Sequence, residues 1–102
     1  MQEKDKLTGK EARHLRALGH SLKPLIQLGK GGVSEPFLHQ LRSALEVHEL
    51  IKIKLLKASP LSTKLAAEQI VQKTPCFLAQ SIGKTLLLFK PREKDPKITL
   101  PK

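Results

Sequence analysis

Leu25-Ile26-Gln27-Leu28-Gly29-Lys30-Gly31-Gly32-Val33-Ser34-Glu35 is the stretch from which the rest of the chain can be ordered. Four residues of strand character lead into a glycine-rich bend, and Ser34 then opens a helix. Three of the chain's six glycines lie between Gly29 and Gly32, so here the backbone is presented without intervening Cβ atoms. Its N–H groups can turn toward an anion, and the helix start that follows adds partial positive charge. Lys30 sets a full charge at the tip. Two readings stand side by side: a phosphate-binding loop, and a tight strand-to-helix turn carrying an exposed lysine.

Upstream of the bend, Thr8-Gly9-Lys10-Glu11 has the form of a capping box. It predicts a first helix running to about Leu18, with Gly19 as its stop. Helical spacing puts Ala12, Leu15, Leu18 and Leu22 on a buried stripe, with Lys10, Arg13, His14 and His20 opposite and Arg16 at the edge. Lys23-Pro24 breaks the chain, because proline disfavours helix in the residue before it. Leu25–Leu28 is then expected as a short central strand.

Downstream, Ser34 caps a second helix with Glu35 and Pro36 in its first turn. Phe37, Leu38, Leu41, Ala44 and Leu45 form its core face, while Glu35, His39, Arg42 and Glu46 form a mixed-sign solvated face. Leu50 to Lys57 alternates with period two, a strand with one face covered and the other partly wet. Lys52 and Lys54 on the wetter face read as plain edge or surface lysines that limit aggregation, or as part of a basic surface. Ser59 and Pro60 suggest the start of a third helix over about Leu61–Lys73, with Ala66, Ala67, Ile70 and Val71 buried. Two strands close the domain, Cys76–Ile82 and Thr85–Lys90, joined by a two-residue turn at Gly83-Lys84. The expected fold is a single α/β domain of order α-β-α-β-α-β-β, with a four-stranded mixed sheet and right-handed strand-helix-strand crossovers.

Composition narrows the function. The chain has 102 residues, 19 Lys+Arg against 9 Asp+Glu, a formal net charge of +10 and a single cysteine. That charge attracts polyanions. No acid stands between Glu11 and Glu35, between Glu49 and Glu68, or between Glu68 and Glu93, and most of the cations fall in those windows. The three aromatic residues, Phe37, Phe77 and Phe89, lie in apolar patterns, so binding should rest on phosphates and shape with little base stacking. A charged N-terminus without an apolar core, no long apolar run and one cysteine point to a cytoplasmic, reducing setting with no membrane partner. Cys76 reads as a small core residue. The histidines form no ligand pattern: His14 and His20 are six apart, His39 falls on an outer face and His48 near the core side. Glu46 and Glu49 read as helix-end charges. The Gly29–Gly32 run lacks the spacing of a nucleotide-binding P-loop. The chain is expected to be no enzyme and to need no cofactor or metal.

Longer runs of residues carry a resemblance. Leu7-Thr8-Gly9-Lys10, His20-Ser21-Leu22-Lys23-Pro24 and Gln27-Leu28-Gly29-Lys30-Gly31-Gly32-Val33 resemble the YhbY-like CRM domain (chloroplast RNA splicing and ribosome maturation). So do Ala44-Leu45-Glu46, Glu49 through Lys54, and Ile82 through Phe89. Two departures stand out. Phe89-Lys90 occupies the place of a Tyr-Arg pair found in many relatives, and Ser59–Thr63 lacks the expected acids. The resemblance implies an RNA-binding fold similar to the C-terminal domain of translation initiation factor three, with a loop similar to the GXXG loop of KH domains. It places that pattern on Gly29, Lys30, Gly31 and Gly32, and the family's basic helix face on Lys10, Arg13 and Arg16. Lys23 and Lys84 are added here as further cations. By resemblance to the stand-alone bacterial members, the expected partner is ribosomal RNA or large-subunit precursor particles, bound by a monomer. General DNA binding, or an adaptor role toward an acidic protein, is the alternative. The expected boundaries are a charged extension over 1–6, the RNA-binding domain over 7–91 and an irregular basic tail over 92–102.

Overall fold

Reciprocal capping starts the first helix, α1 (Gly9–Gly19). The Thr8 hydroxyl accepts from the Glu11 amide at 3.1 Å, and the Glu11 carboxylate accepts from the Thr8 amide at 2.9 Å. Two N–H groups that a helix start leaves unpaired are thereby satisfied. The structure, a computed structural model, describes residues 7–101, and the extension expected over 1–6 lies outside the described residues. Then follow β1 (Pro24–Leu28), α2 (Glu35–His48), β2 (Leu50–Leu55), α3 (Thr63–Lys73), β3 (Phe77–Ile82) and β4 (Thr85–Phe89). The order is the expected one, with three helices and one four-stranded mixed sheet.

The sheet order is β1-β2-β4-β3. β1 and β2 run parallel across the α2 crossover, and β4 lies antiparallel between β2 and β3. This corrects the reading of Leu25–Leu28 as central. β4 takes the free side of β2, so β1 keeps one neighbour and stands at the edge. Its proline at the first position suits an edge strand. Lys52 and Lys54 are therefore not edge lysines, since β2 is an inner strand.

Alternation splits the sheet into two cores. Ile26, Leu28, Ile51, Ile53, Leu55, Leu86 and Leu88 face α2 and α3. Leu50, Leu87 and Phe89 face the other way, toward Leu15 of α1. The buried line of α1 is Glu11, Leu15 and Gly19, with Leu18 41% and Leu22 37% exposed. The expected stripe through Leu18 and Leu22 is thus rotated. The capping box draws Glu11 inward, and Gly19 lies so close to the sheet that an added Cβ would stand 2.8 Å from the Leu87 methyls. α3 also starts later than expected: Ser59 is held in a turn with Leu61, and Ser62 supplies the cap by accepting from the Leu65 amide at 3.2 Å. Val71 is exposed rather than buried.

Residues 90–101 form no helix or strand, yet they are tied down. Glu49, at the end of α2 with φ +63°, is fully buried. Its carboxylate accepts from the backbone amides of Arg92 at 3.0 Å, Lys97 at 2.7 Å and Ile98 at 3.1 Å. Burial pushes this carboxyl's pKa up, but the three amides and the Arg92 charge outweigh it, so the pKa lies below the usual value. Ile98 and Leu100 then pack against the α1-side core. Glu49 thus stands at the helix end, as expected, but as a buried anchor for the tail.

Candidate nucleic-acid interface

The parallel pair β1–β2 sends both following helices away from the same end of the sheet. The N-termini of α2 and α3, and hence their positive dipole ends, sit at that end. Three loops meet there. The Leu56 amide donates to the Leu28 carbonyl at 2.9 Å, joining the glycine bend to the loop after β2. The Leu55 amide donates to the Lys84 carbonyl at 2.7 Å, and the Thr63 hydroxyl to the Gly83 carbonyl at 2.8 Å. The β3–β4 hairpin is thereby held beside the other two. Lys30, Lys57 and Lys84 are exposed, one on each loop.

The bend itself is a four-residue turn closed by the Gly32 amide donating to the Gly29 carbonyl at 3.0 Å. Gly32 has φ +64° and packs under Pro60, so the fold requires glycine there. Gly31 is different. It is exposed, and an added Cβ would meet nothing within 4 Å. Among the described residues the amides of Lys30 and Gly31 have no hydrogen-bond partner. Glu35, exposed in the first turn of α2, is the one carboxylate between Glu11 and Glu46.

Part of the α1-side sheet face is left uncovered. Gln27 and Lys54 are exposed, Lys52 and Thr85 half-buried, and Ile82 is 61% exposed. The last turn of α1 borders this area, and a shallow pocket of about 240 Å³ is lined there by Arg16, His20, Lys52 and Gln80 among others. The larger pocket, about 390 Å³, lies against the tail and mixes Glu46 and Glu93 with Lys90, Arg92 and Lys94. Cys76 is partly buried and burial raises its thiol pKa to about 11, so it stays protonated at neutral pH. No three His, Cys, Asp or Glu side chains among the described residues converge as a metal site would require. No described helix is long and apolar enough to cross a membrane.

Known proteins are similar to this chain in sequence and fold. The sequence model of the CRS1 / YhbY (CRM) domain matches residues 7–90. The chain belongs to the CRS1 / YhbY (CRM) domain family. Bacillus subtilis "Probable RNA-binding protein YqeI" is 40% identical over 95 residues, which cover 93% of this chain and 99% of that one. A Haemophilus influenzae protein named "RNA-binding protein" is 38% identical, with 94% and 96% covered. The solution structure of the hypothetical protein SAV1595 from Staphylococcus aureus superposes with a TM-score of 0.78 at 37% identity, covering 93% of this chain and 99% of that one. The match to Arabidopsis thaliana "CRS2-associated factor 1, chloroplastic" spans only 14% of that longer protein.

Within this CRM domain the expected site residues separate into groups. Gly29, Lys30, Gly31, Gly32 and Lys84 come together at the loop end. Arg16 borders the open sheet face. Lys10 and Arg13 lie farther up α1, Lys10 about 9 Å from Arg16 along the helix axis at roughly 1.5 Å per residue. Lys23 stands at the far end of β1, about 20 Å from Gly29 at roughly 3.3 Å per residue. The α1 stripe therefore does not run directly into the glycine bend, because the open sheet face lies between them. From sequence, Lys52 and Lys54 read as edge or surface lysines and are not placed in the site, and Lys57 is not singled out. Period-two alternation put Lys52 and Lys54 on one face, but only the strand order shows that this face is open.

Proposed function

We propose that this CRM domain binds structured RNA by gripping its sugar-phosphate backbone at the loop end of the sheet. The observation that carries the reading is the joining of three lysine-tipped loops around a glycine bend that has unpartnered amides and an open Gly31. The two helix N-termini add to the positive potential there. RNA is favoured as the polyanion because the bacterial relatives bear RNA-binding names. Resemblance to the stand-alone bacterial members supports ribosomal RNA of large-subunit precursors as the specific target, met in the cytoplasm by a monomer.

Filter binding to a structured RNA, a single-stranded RNA and a duplex DNA at two salt concentrations tests the reading. Tightest binding to structured RNA, weakening as salt rises, is expected. Equal or tighter binding to the DNA duplex would replace RNA with general nucleic-acid binding. Cosedimentation with large-subunit precursors in cell extract tests the ribosomal assignment, and its absence would remove that assignment alone.

A further inference from the structure

The pocket between α1 and the open sheet face differs in chemistry from the loop end. On one side, Arg16 in the last turn of α1 and Lys52 on β2 bring positive charge from two elements, and His20 at the C-cap of α1 adds an imidazole, with no carboxylate in the lining. On the other side, Gln80, Ile82 and Thr85 come from the β3–β4 hairpin. Gln80 offers an amide that both donates and accepts, Thr85 offers a hydroxyl, and Ile82 offers an exposed apolar surface. Leu87 closes the floor and is buried. A site that only held phosphate would need none of this second group.

We propose that this pocket receives one unpaired nucleotide of the RNA strand, an inference that rests on the RNA-binding reading above. The phosphate sits on the Arg16, His20 and Lys52 side. The base lies against Ile82 with its polar edge within reach of the Gln80 amide and the Thr85 hydroxyl. The volume, about 240 Å³, lies below the roughly 300–1,000 Å³ of pockets that enclose drug-sized ligands, so the pocket admits one nucleotide in part, with the rest in solvent, and excludes a duplex. The domain then carries two RNA contacts of different kind: backbone grip at the loops, and selection of an unpaired base on the sheet. The aromatic platform used by other sheet-based RNA binders is replaced by an aliphatic residue flanked by hydrogen-bonding side chains.

The test is affinity of the full chain for an RNA hairpin with one bulged nucleotide and for the same hairpin without it. The wild-type chain is expected to prefer the bulged RNA about tenfold, the scale of one or two net hydrogen bonds. Gln80→Ala and Ile82→Ser, both at positions outside the fully buried core, are each expected to bring the ratio close to one. A wild-type ratio near one, with both hairpins still bound, overturns the nucleotide pocket while leaving backbone gripping intact. Failure to bind either hairpin overturns the RNA-binding reading and this inference with it. A competition arm separates nucleotide from bare anion: at matched ionic strength a nucleoside monophosphate should erase the preference at lower concentration than inorganic phosphate. Equal potency of the two would show an anion site only and overturn the proposal.

Discussion

Gly31 and Gly32 are neighbours of which the fold asks different things. Gly32 has a left-handed backbone and a proline ring 3.4 Å from where a Cβ would stand, so Gly32→Ala should cost about 1–2 kcal/mol of stability, read from urea unfolding. Gly31 is open, and Gly31→Asp should leave the unfolding midpoint unchanged. It should nonetheless weaken structured-RNA binding about tenfold or more, since it sets bulk and negative charge where a phosphate would approach. Unchanged affinity would remove the bend from the interface. Glu49 makes a third residue-level prediction. Its folded pKa lies below the ordinary value of 4.5, so its charged form contributes stability that is fully present above about that pH and is lost as pH falls through the folded pKa. Glu49→Gln should therefore be less stable than wild type at pH 7 by roughly 1–3 kcal/mol. The gap should narrow steadily in acid, and a gap independent of pH would contradict the buried-carboxylate account.

The tail acts as an element although it has no regular structure. Removing residues 92–102 uncovers the α1-side core and takes away the amides that satisfy Glu49. Truncation should lower stability, and Glu49→Ala should cost much less in the truncated chain than in the full one, because the two changes break the same contacts. Equal costs in both backgrounds would mean the tail is not what Glu49 holds. This coupling joins residues more than forty positions apart in sequence, which is why local pattern shows Glu49 as a helix-end charge and not as the anchor of the tail. Elements that depend on local chemistry were legible: the Thr8–Glu11 capping box, the Ser34 cap, the period-two run of β2 and the Gly83-Lys84 turn all stand in the structure. Features that depend on tertiary choice were not. β1 was misplaced because nothing in Leu25–Leu28 records that β4 takes the other side of β2. The α1 stripe was rotated because a buried capping glutamate and a close-packed Gly19 outrank the leucines, and α3 began late because Ser59 is spent on its own turn. The glycine bend was legible from its residues, whereas the basic sheet face needed the strand order.

At the scale of the whole molecule the net charge of +10 predicts attraction to any polyanion, and its placement predicts which charges meet phosphate. Lys30, Lys57 and Lys84 come from three distant parts of the sequence and are brought to one end of the sheet by main-chain hydrogen bonds. Each phosphate neutralised by a lysine releases counterions and steepens the fall of affinity with salt by about 0.9 on a log-log plot for a duplex. Cations that meet no phosphate add to general attraction without entering that count. The most direct measurement is thus the slope of log affinity against log salt for structured RNA, taken for the wild-type chain, for Lys30→Ala and for the chain with Lys30, Lys57 and Lys84 all changed to Ala. The account predicts that the slope shrinks in magnitude by about one for Lys30→Ala and by about three for the triple change. Slopes that stay at the wild-type value would show that the loop end of the sheet does not touch the RNA backbone.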